Sequence, residues 1–213
     1  MSAPDASLLQ VLSVFAPTFV RALGTNLSLA LEALAIGLPA GLALGALRLP
    51  ETHGEPSTWR RLSASGAGTV VALLRAAPAF VVMHVLLHAL PARWAMSPGG
   101  AVAWSLSAYA AAYVADNLRV AVLDWRAGAR GGVPLFLMGL ARAYFVMVLS
   151  SGFGAAVGVK EATAVTLRAL EQLPQAADRL CLIGGVVLVF VALRQAVDAA
   201  ILAAQRAVER RSG

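Results

Sequence analysis

Ionisable side chains set inside apolar runs are the residues of this sequence that could do chemistry. Glu32 interrupts "NLSLALEALAIGLPAGLAL", His84 and His88 stand four apart in "FVVMHVLLHAL", Asp116 and Arg119 lie in "AAYVADNLR", and Arg142 sits in "GLARAYF". A charge placed in hydrocarbon is costly unless it is paired or faces water, so each of these groups needs a partner or a path. Glu32 fits a proton-coupling carboxyl, the lining of a polar solute path, a hydrogen bond to His84, or a protonated carboxyl at a subunit contact. His84 and His88 share one helical face, but two ligands without a third do not make a metal site, and no metal is expected. Arg142 needs a partner that the sequence does not name. Asp116 and Arg119 form an ion pair three residues apart near a helix end. Lys160, Glu161 and Thr163 in "KEAT" either line a path or cap a helix. There is no Ser/His/Asp order, no G-x-x-x-x-G-K-[ST] loop and no glycine fingerprint after a strand. Neither an enzyme nor a nucleotide cofactor on this chain is expected.

The elements that must position these groups are membrane helices. Hydrophobic residues make up 59% of the chain and charged residues 13%, whereas a soluble domain carries about a quarter charged residues. The formal charge of +6 therefore marks cytoplasmic loops and anionic headgroups, not nucleic acid. Segments of roughly 20 apolar residues suffice to span. Five are available, at about 26–47, 68–90, 100–123, 133–157 and 180–203, and a more amphipathic lead, 8–23, can lie in the interface. The expected fold is all-α and integral to the membrane, one transmembrane domain over 1–213, in lipid as a multi-pass protein. Cys181, the single cysteine, is a small packing residue. Without a basic leader or an A-x-A site, no removable signal peptide is expected. With the N-terminus outside and the C-terminus inside, Arg48, Arg60, Arg61, Arg119, Arg126, Arg130, Arg206, Arg210 and Arg211 become cytoplasmic. Only Arg21, Arg93, Lys160, Arg168 and Arg179 are then left outside, which favours N-out, C-in.

"AAYVADNLR" resembles the A-Y-x-A-E-x-x-R segment of permease subunits in ABC importers of the polar amino-acid type, with Tyr113 and Arg119 in place and Asp116 where glutamate is usual. Gly128 stands nine residues after Arg119, the distance at which that family places the glycine of its G-Q-x-E-A-A coupling loop. In the family's order, "LGTNLSLALEALAIGLPAGLALGALR" is similar to its first span, "RAAP" (Arg75 to Pro78) to its R-G-T-P, "VKEATAV" to its L-K-x-T-S-L and "VERR" to its closing L-E-R-R. Two departures stand out. After Gly128 the chain reads Ala129, Arg130, Gly131, Gly132, Val133, so the loop glutamate is missing, and the stretch from Gly128 to Lys160 is shorter than the family's.

The resemblance implies a type I permease arrangement of five helices in the bacterial inner membrane, moving a small polar solute, an amino acid or a relative, by alternating access. It implies a second permease subunit, expected to be a different chain with an intact loop, a cytoplasmic ATPase dimer that carries ATP and magnesium, and a periplasmic solute-binding protein. Asp124, Arg126, Gly128, Arg130 and Gly131 would form the ATPase-coupling loop, a flexible basic turn here. Glu32, His84, Lys160, Glu161 and Thr163 would line the translocation path. Arg75, Pro78, Tyr113, Asp116 and Arg119 are the matched structural positions. Two alternatives stand beside this reading: a non-conducting structural or regulatory permease-like subunit, suggested by the degenerate loop, and a small proton-coupled secondary carrier using Glu32.

Overall fold

The structure, a computed structural model, describes residues 8–51, 57–128 and 132–212. Among the described residues seven α-helices follow in order: α1 (Leu8–Leu47), α2 (Thr58–Ala76), α3 (Ala79–His88), α4 (Pro98–Arg126), α5 (Gly132–Ser150), α6 (Ala162–Glu171) and α7 (Ala176–Ser212). A 3-10 segment, Ser151–Val157, continues α5. Among the described residues α1, α5 with its 3-10 extension and α7 to Ala207 are long and apolar enough to cross a membrane, and α2 with α3 adds a fourth if that bent pair is one span.

Helix α1 absorbs the interfacial lead expected at 8–23 into one helix of 40 residues. The reason is a single continuous buried stripe, Val11, Phe15, Phe19, Ala22, Asn26, Ala30, Ala33, Gly37, Gly41 and Gly45, whose steps of three and four keep one face inward. Its first part packs Val11, Phe15 and Phe19 against Ala162, Ala169 and Leu173 of α6 and its exit, and Leu182 of α7. The middle packs Leu29, Ala30 and Ala33 against Met83, Val102, Leu106 and Met147.

Helix α4 lies at the centre, touching α1, α2, α3 and α5. The sequence predicts a span at 100–123, yet α4 falls short of the apolarity of a lipid-facing helix because it carries Ser105, Ser107, Asp116, Asn117 and Arg119. Ser105 and Ser107 meet protein, so they need not satisfy lipid. A Cβ on Gly37 would stand 2.5 Å from Ala110 Cβ and 2.6 Å from Ser107 O, and one on Gly41 would stand 2.5 Å from Val114 Cβ. Backbones this close leave no room for a methyl group.

The span expected at 68–90 is broken. Helices α2 and α3 meet at 88° across Ala77 and Pro78, because proline lacks the N–H that would continue the ladder and pushes Ala77 into extended backbone. The broken ends are caught by α4: Tyr109 Oη donates to Ala77 O at 3.2 Å and Ser105 Oγ to Ala79 O at 2.7 Å.

Substituting Gly41→Ala should therefore destabilise the protein by about 1–3 kcal/mol through overpacking. Gly66→Ala, where a methyl meets open space, should be neutral or mildly stabilising because alanine favours helix. Thermal unfolding of the two purified variants in detergent checks this, and equal stability would show that the α1–α4 approach is not tight.

Candidate functional site

Two polar clusters sit along α1, one near its middle at Asn26 and one just past its C-terminal end at Arg48, and a cavity opens between them. In the first, Asn26 is 1% exposed and Glu161 0%. Asn26 Nδ2 donates to Ser151 Oγ at 2.8 Å and to Glu161 Oε2 at 3.0 Å, while its Oδ1 accepts from Ala162 N at 2.9 Å. Glu161 also caps α6, accepting from Thr163 N at 2.8 Å and Ala164 N at 2.9 Å. A buried carboxyl that accepts three N–H bonds has most of its acceptor sites taken. Of the three path residues expected here, Glu161 is thus a helix cap and latch, and Lys160 and Thr163 flank it on the exposed side. Asn26 was not singled out from the sequence; a lone asparagine in an apolar run was the available signal.

The second cluster joins three helices. Asp116 Oδ1 receives Arg48 Nη1 at 2.7 Å, and Asp116 Oδ2 pairs with Arg75 Nη2. The expected pair of Asp116 with Arg119 does not form, because the ends of α1 and α2 bring two guanidinium groups to the packed side of Asp116. Arg119 turns outward, where it borders a groove with Arg48, Glu51, Arg60 and Arg61. Arg60 Nε lies 3.6 Å from Glu51 Oε1, and Arg126 Nη1 donates to Pro50 O at 2.6 Å. One end of the molecule is therefore tied by arginines to the α1–α2 connection.

Asp124 and Arg126, expected in a flexible coupling loop, belong to the last turn of α4. Gly128 follows with φ +86°, a backbone that suits glycine, and its N–H closes the helix on Trp125 O at 3.0 Å. Arg130 and Gly131 lie outside the described residues. Five residues, 127–131, separate α4 from α5.

Between the clusters, the break at Pro78 opens a cavity of about 390 Å³ bordered by Pro78, Phe80, Tyr109, Tyr113, Met147 and Phe153. Its walls are apolar apart from the tyrosines and Ser150, a surface suited to a small amphipathic molecule. His84 lies outside it: its Nδ1 is 3.2 Å from Phe80 O, and its ring sits 4.3 Å from Phe80 and 5.8 Å from His88. Glu32 occupies the exposed face of α1, opposite Ala30 and Ala33, and has no partner among the described residues. The expected Glu32 to His84 hydrogen bond is absent for that reason. Among the described residues no three His, Cys, Asp or Glu side chains cluster in a way that could hold a metal.

No protein-family model and no curated protein sequence matches the chain. Among solved structures it is similar to a chain of an amino acid ABC transporter crystallised with histidines, with a TM-score of 0.71 and 15% identity over 94% of this chain and 99% of that one. A chain of the inward-facing MetNI methionine ABC transporter matches with a TM-score of 0.63 and 18% identity over 87% of this chain and 95% of that one. The fold is that of an ABC transporter permease. Such a permease is a multi-pass membrane protein, and the apolar helices described above agree with it. Within this permease fold Arg75 and Asp116, separate in the sequence, meet in one ion cluster, while Pro78 and Tyr113 border one cavity.

Breaking the buried latch has a calculable effect. Glu161→Ala leaves Asn26 Nδ2 and the α6 amides short of acceptors, which should cost about 2–4 kcal/mol, and Asn26→Ala should cost a similar amount. Because the two residues share bonds, the double variant should lose clearly less than the sum. Unfolding midpoints of the three variants provide the measurement, and strict additivity would contradict the latch.

Proposed function

We propose that this chain is a transmembrane permease subunit of an ATP-driven ABC importer that carries a small polar solute, an amino acid or a related compound, across the bacterial inner membrane. The observation that carries the reading is the permease fold over 94% of the chain, with Asp116 of the "AAYVADNLR" segment at the node between α1, α2 and α4. Both similar structures are chains of transporters for amino acids, one crystallised with histidines and one for methionine, and this supports the solute class. Helices α1, α2 with α3, α4, α5 and α7 then serve as the five spans, N-terminus outside and C-terminus inside, as the arginine distribution suggests.

In this reading the solute arrives from a periplasmic binding protein and passes the cavity beside Pro78. Closure of a cytoplasmic ATPase dimer, which carries ATP and magnesium, drives alternating access. The ion cluster of Arg48, Asp116 and Arg75 transmits that closure, since it links the C-terminal ends of α1 and α2 to the central helix. A heteromeric complex fits best: with only residues 127–131 between α4 and α5, the intact coupling element belongs to a second, different permease chain. The same short connection supports a second reading, in which this chain no longer conducts and holds the complex together.

The tagged full-length chain, solubilised from its native membranes, should co-purify with an ABC ATPase and a second permease, and the complex should hydrolyse ATP. Asp116→Ala should keep the subunits together and slow ATP hydrolysis stimulated by the solute-binding protein by about tenfold, the loss expected for a broken charged contact. Recovery of the chain alone would overturn the importer reading. Transport that survives loss of function in this subunit's own cavity, tested with Tyr113→Trp, would favour the non-conducting reading.

A further inference from the structure

Among the charged side chains that neither polar cluster uses, three lie on the facing parts of α5 and α7. Arg142 stands ten residues into α5, about 15 Å along the helix from Gly132. Arg194 and Asp198 lie in the apolar part of α7 that ends at Ala207, about 20 Å and 14 Å from that end. The first half of α5 lies beside the second half of α7, so all three sit at similar depth, near the middle of segments long enough to cross a membrane. Hydrocarbon does not tolerate an exposed arginine at that depth, so this face meets water or another charged group.

The three side chains border one groove of about 600 Å³, together with Tyr113, Phe145 and Leu149. Arg194 Nε is 3.7 Å from Asp198 Oδ2, whereas Arg142 has no partner among the described residues. One carboxylate thus faces two guanidinium groups, and the groove carries one uncompensated positive charge in a low-dielectric setting. Tyr113 and Val146 border both this groove and the cavity at the Pro78 break, so the two spaces adjoin. Guanidinium groups are planar forks matched to oxyanions, and the rest of the wall is aromatic and aliphatic.

We infer that Arg142, assisted by Arg194, binds an oxyanion within the membrane-spanning region: the carboxylate of a solute in passage or the phosphate of a lipid headgroup drawn into the groove. The inference rests on the membrane-spanning reading of α5 and α7 and not on the ATPase partner. Its substrate consequence is that a solute crossing here carries a negative oxygen group next to an apolar body.

The test uses the purified full-length chain in phosphatidylcholine nanodiscs, with benzoate as the soluble carboxylate and phosphatidylglycerol as the headgroup phosphate. Phenylglyoxal labelling followed by peptide mapping should modify Arg142 in pure phosphatidylcholine, and either benzoate or phosphatidylglycerol should protect it. Protection by benzoate assigns the site to a solute carboxylate; protection by phosphatidylglycerol alone assigns it to lipid. In binding followed by thermal shift, Arg142→Gln should raise the half-saturating concentration of the protecting anion about tenfold, as expected for one lost charged hydrogen bond, and Arg142→Lys should retain part of the effect. An Arg142 that is unreactive without anion, or reactive and unprotected by both probes, overturns the inference. If no ATPase co-purifies but Arg142 is protected, the importer reading fails and the anion site stands. If an ATPase co-purifies and Arg142 is unprotected, only the anion site fails.

Discussion

Direct backbone approach of α1 to α4 is the constraint on which the remaining packing depends. With the carbonyl oxygens of Ser107 and Ala111 only 2.6 Å from where side chains on Gly37 and Gly41 would begin, the two helices cannot slide or rotate past one another without collision. Lipid offers no hydrophobic drive for helix association, so such close van der Waals contact supplies what water would supply elsewhere. Once this seam is set, the buried stripe of α1 determines what its middle and its C-terminal end can touch. Asn26 reaches α6, and Arg48 reaches Asp116.

Asn26 and Arg48 are separated by about 33 Å along the helix, close to the thickness of a hydrocarbon core. Polar groups are cheap at the two borders and dear between them. In the membrane-spanning reading the molecule keeps its hydrogen-bonded carboxyl, Glu161, toward one border and its arginine-rich ion cluster toward the other. The middle holds small residues, tyrosines and a cavity. A helix broken at Pro78 is affordable there only because Tyr109 and Ser105 take up carbonyls next to the break.

The limits of α4 and of α5 with its extension were legible in the sequence to within a few residues, whereas α1 and α2 begin well before the apolar runs at 26 and 68 and α6 was not expected. The motif "AAYVADNLR" and the small-residue run "GLPAGLALGA" both pointed at helices that the fold places in contact. What the sequence hid was pairing across distance. Local spacing coupled Asp116 to Arg119, but helix packing delivered Arg48 and Arg75 instead, and no periodicity carries that information. Glu32 and His84 stand at similar depth yet on helix faces that do not meet, since depth follows from residue count while azimuth follows from packing. The apolar run at 68–90 gave no sign of an 88° break at Pro78, whose two halves are held by Tyr109 and Ser105 of α4.

The separation between Asn26 and its partners also orders events during synthesis. Ser151 and Glu161 follow it by 125 and 135 residues, so α1 enters the bilayer long before its clasp exists. As a helix it satisfies its own backbone and can wait in lipid, leaving one amide group exposed to hydrocarbon at the membrane border. The seam with α4 becomes available first, and closure of Asn26 on Ser151 and Glu161 comes only when more than three quarters of the chain has emerged. Quality control that recognises unsatisfied polar groups in membranes would therefore read Asn26 as the mark of an unfinished molecule.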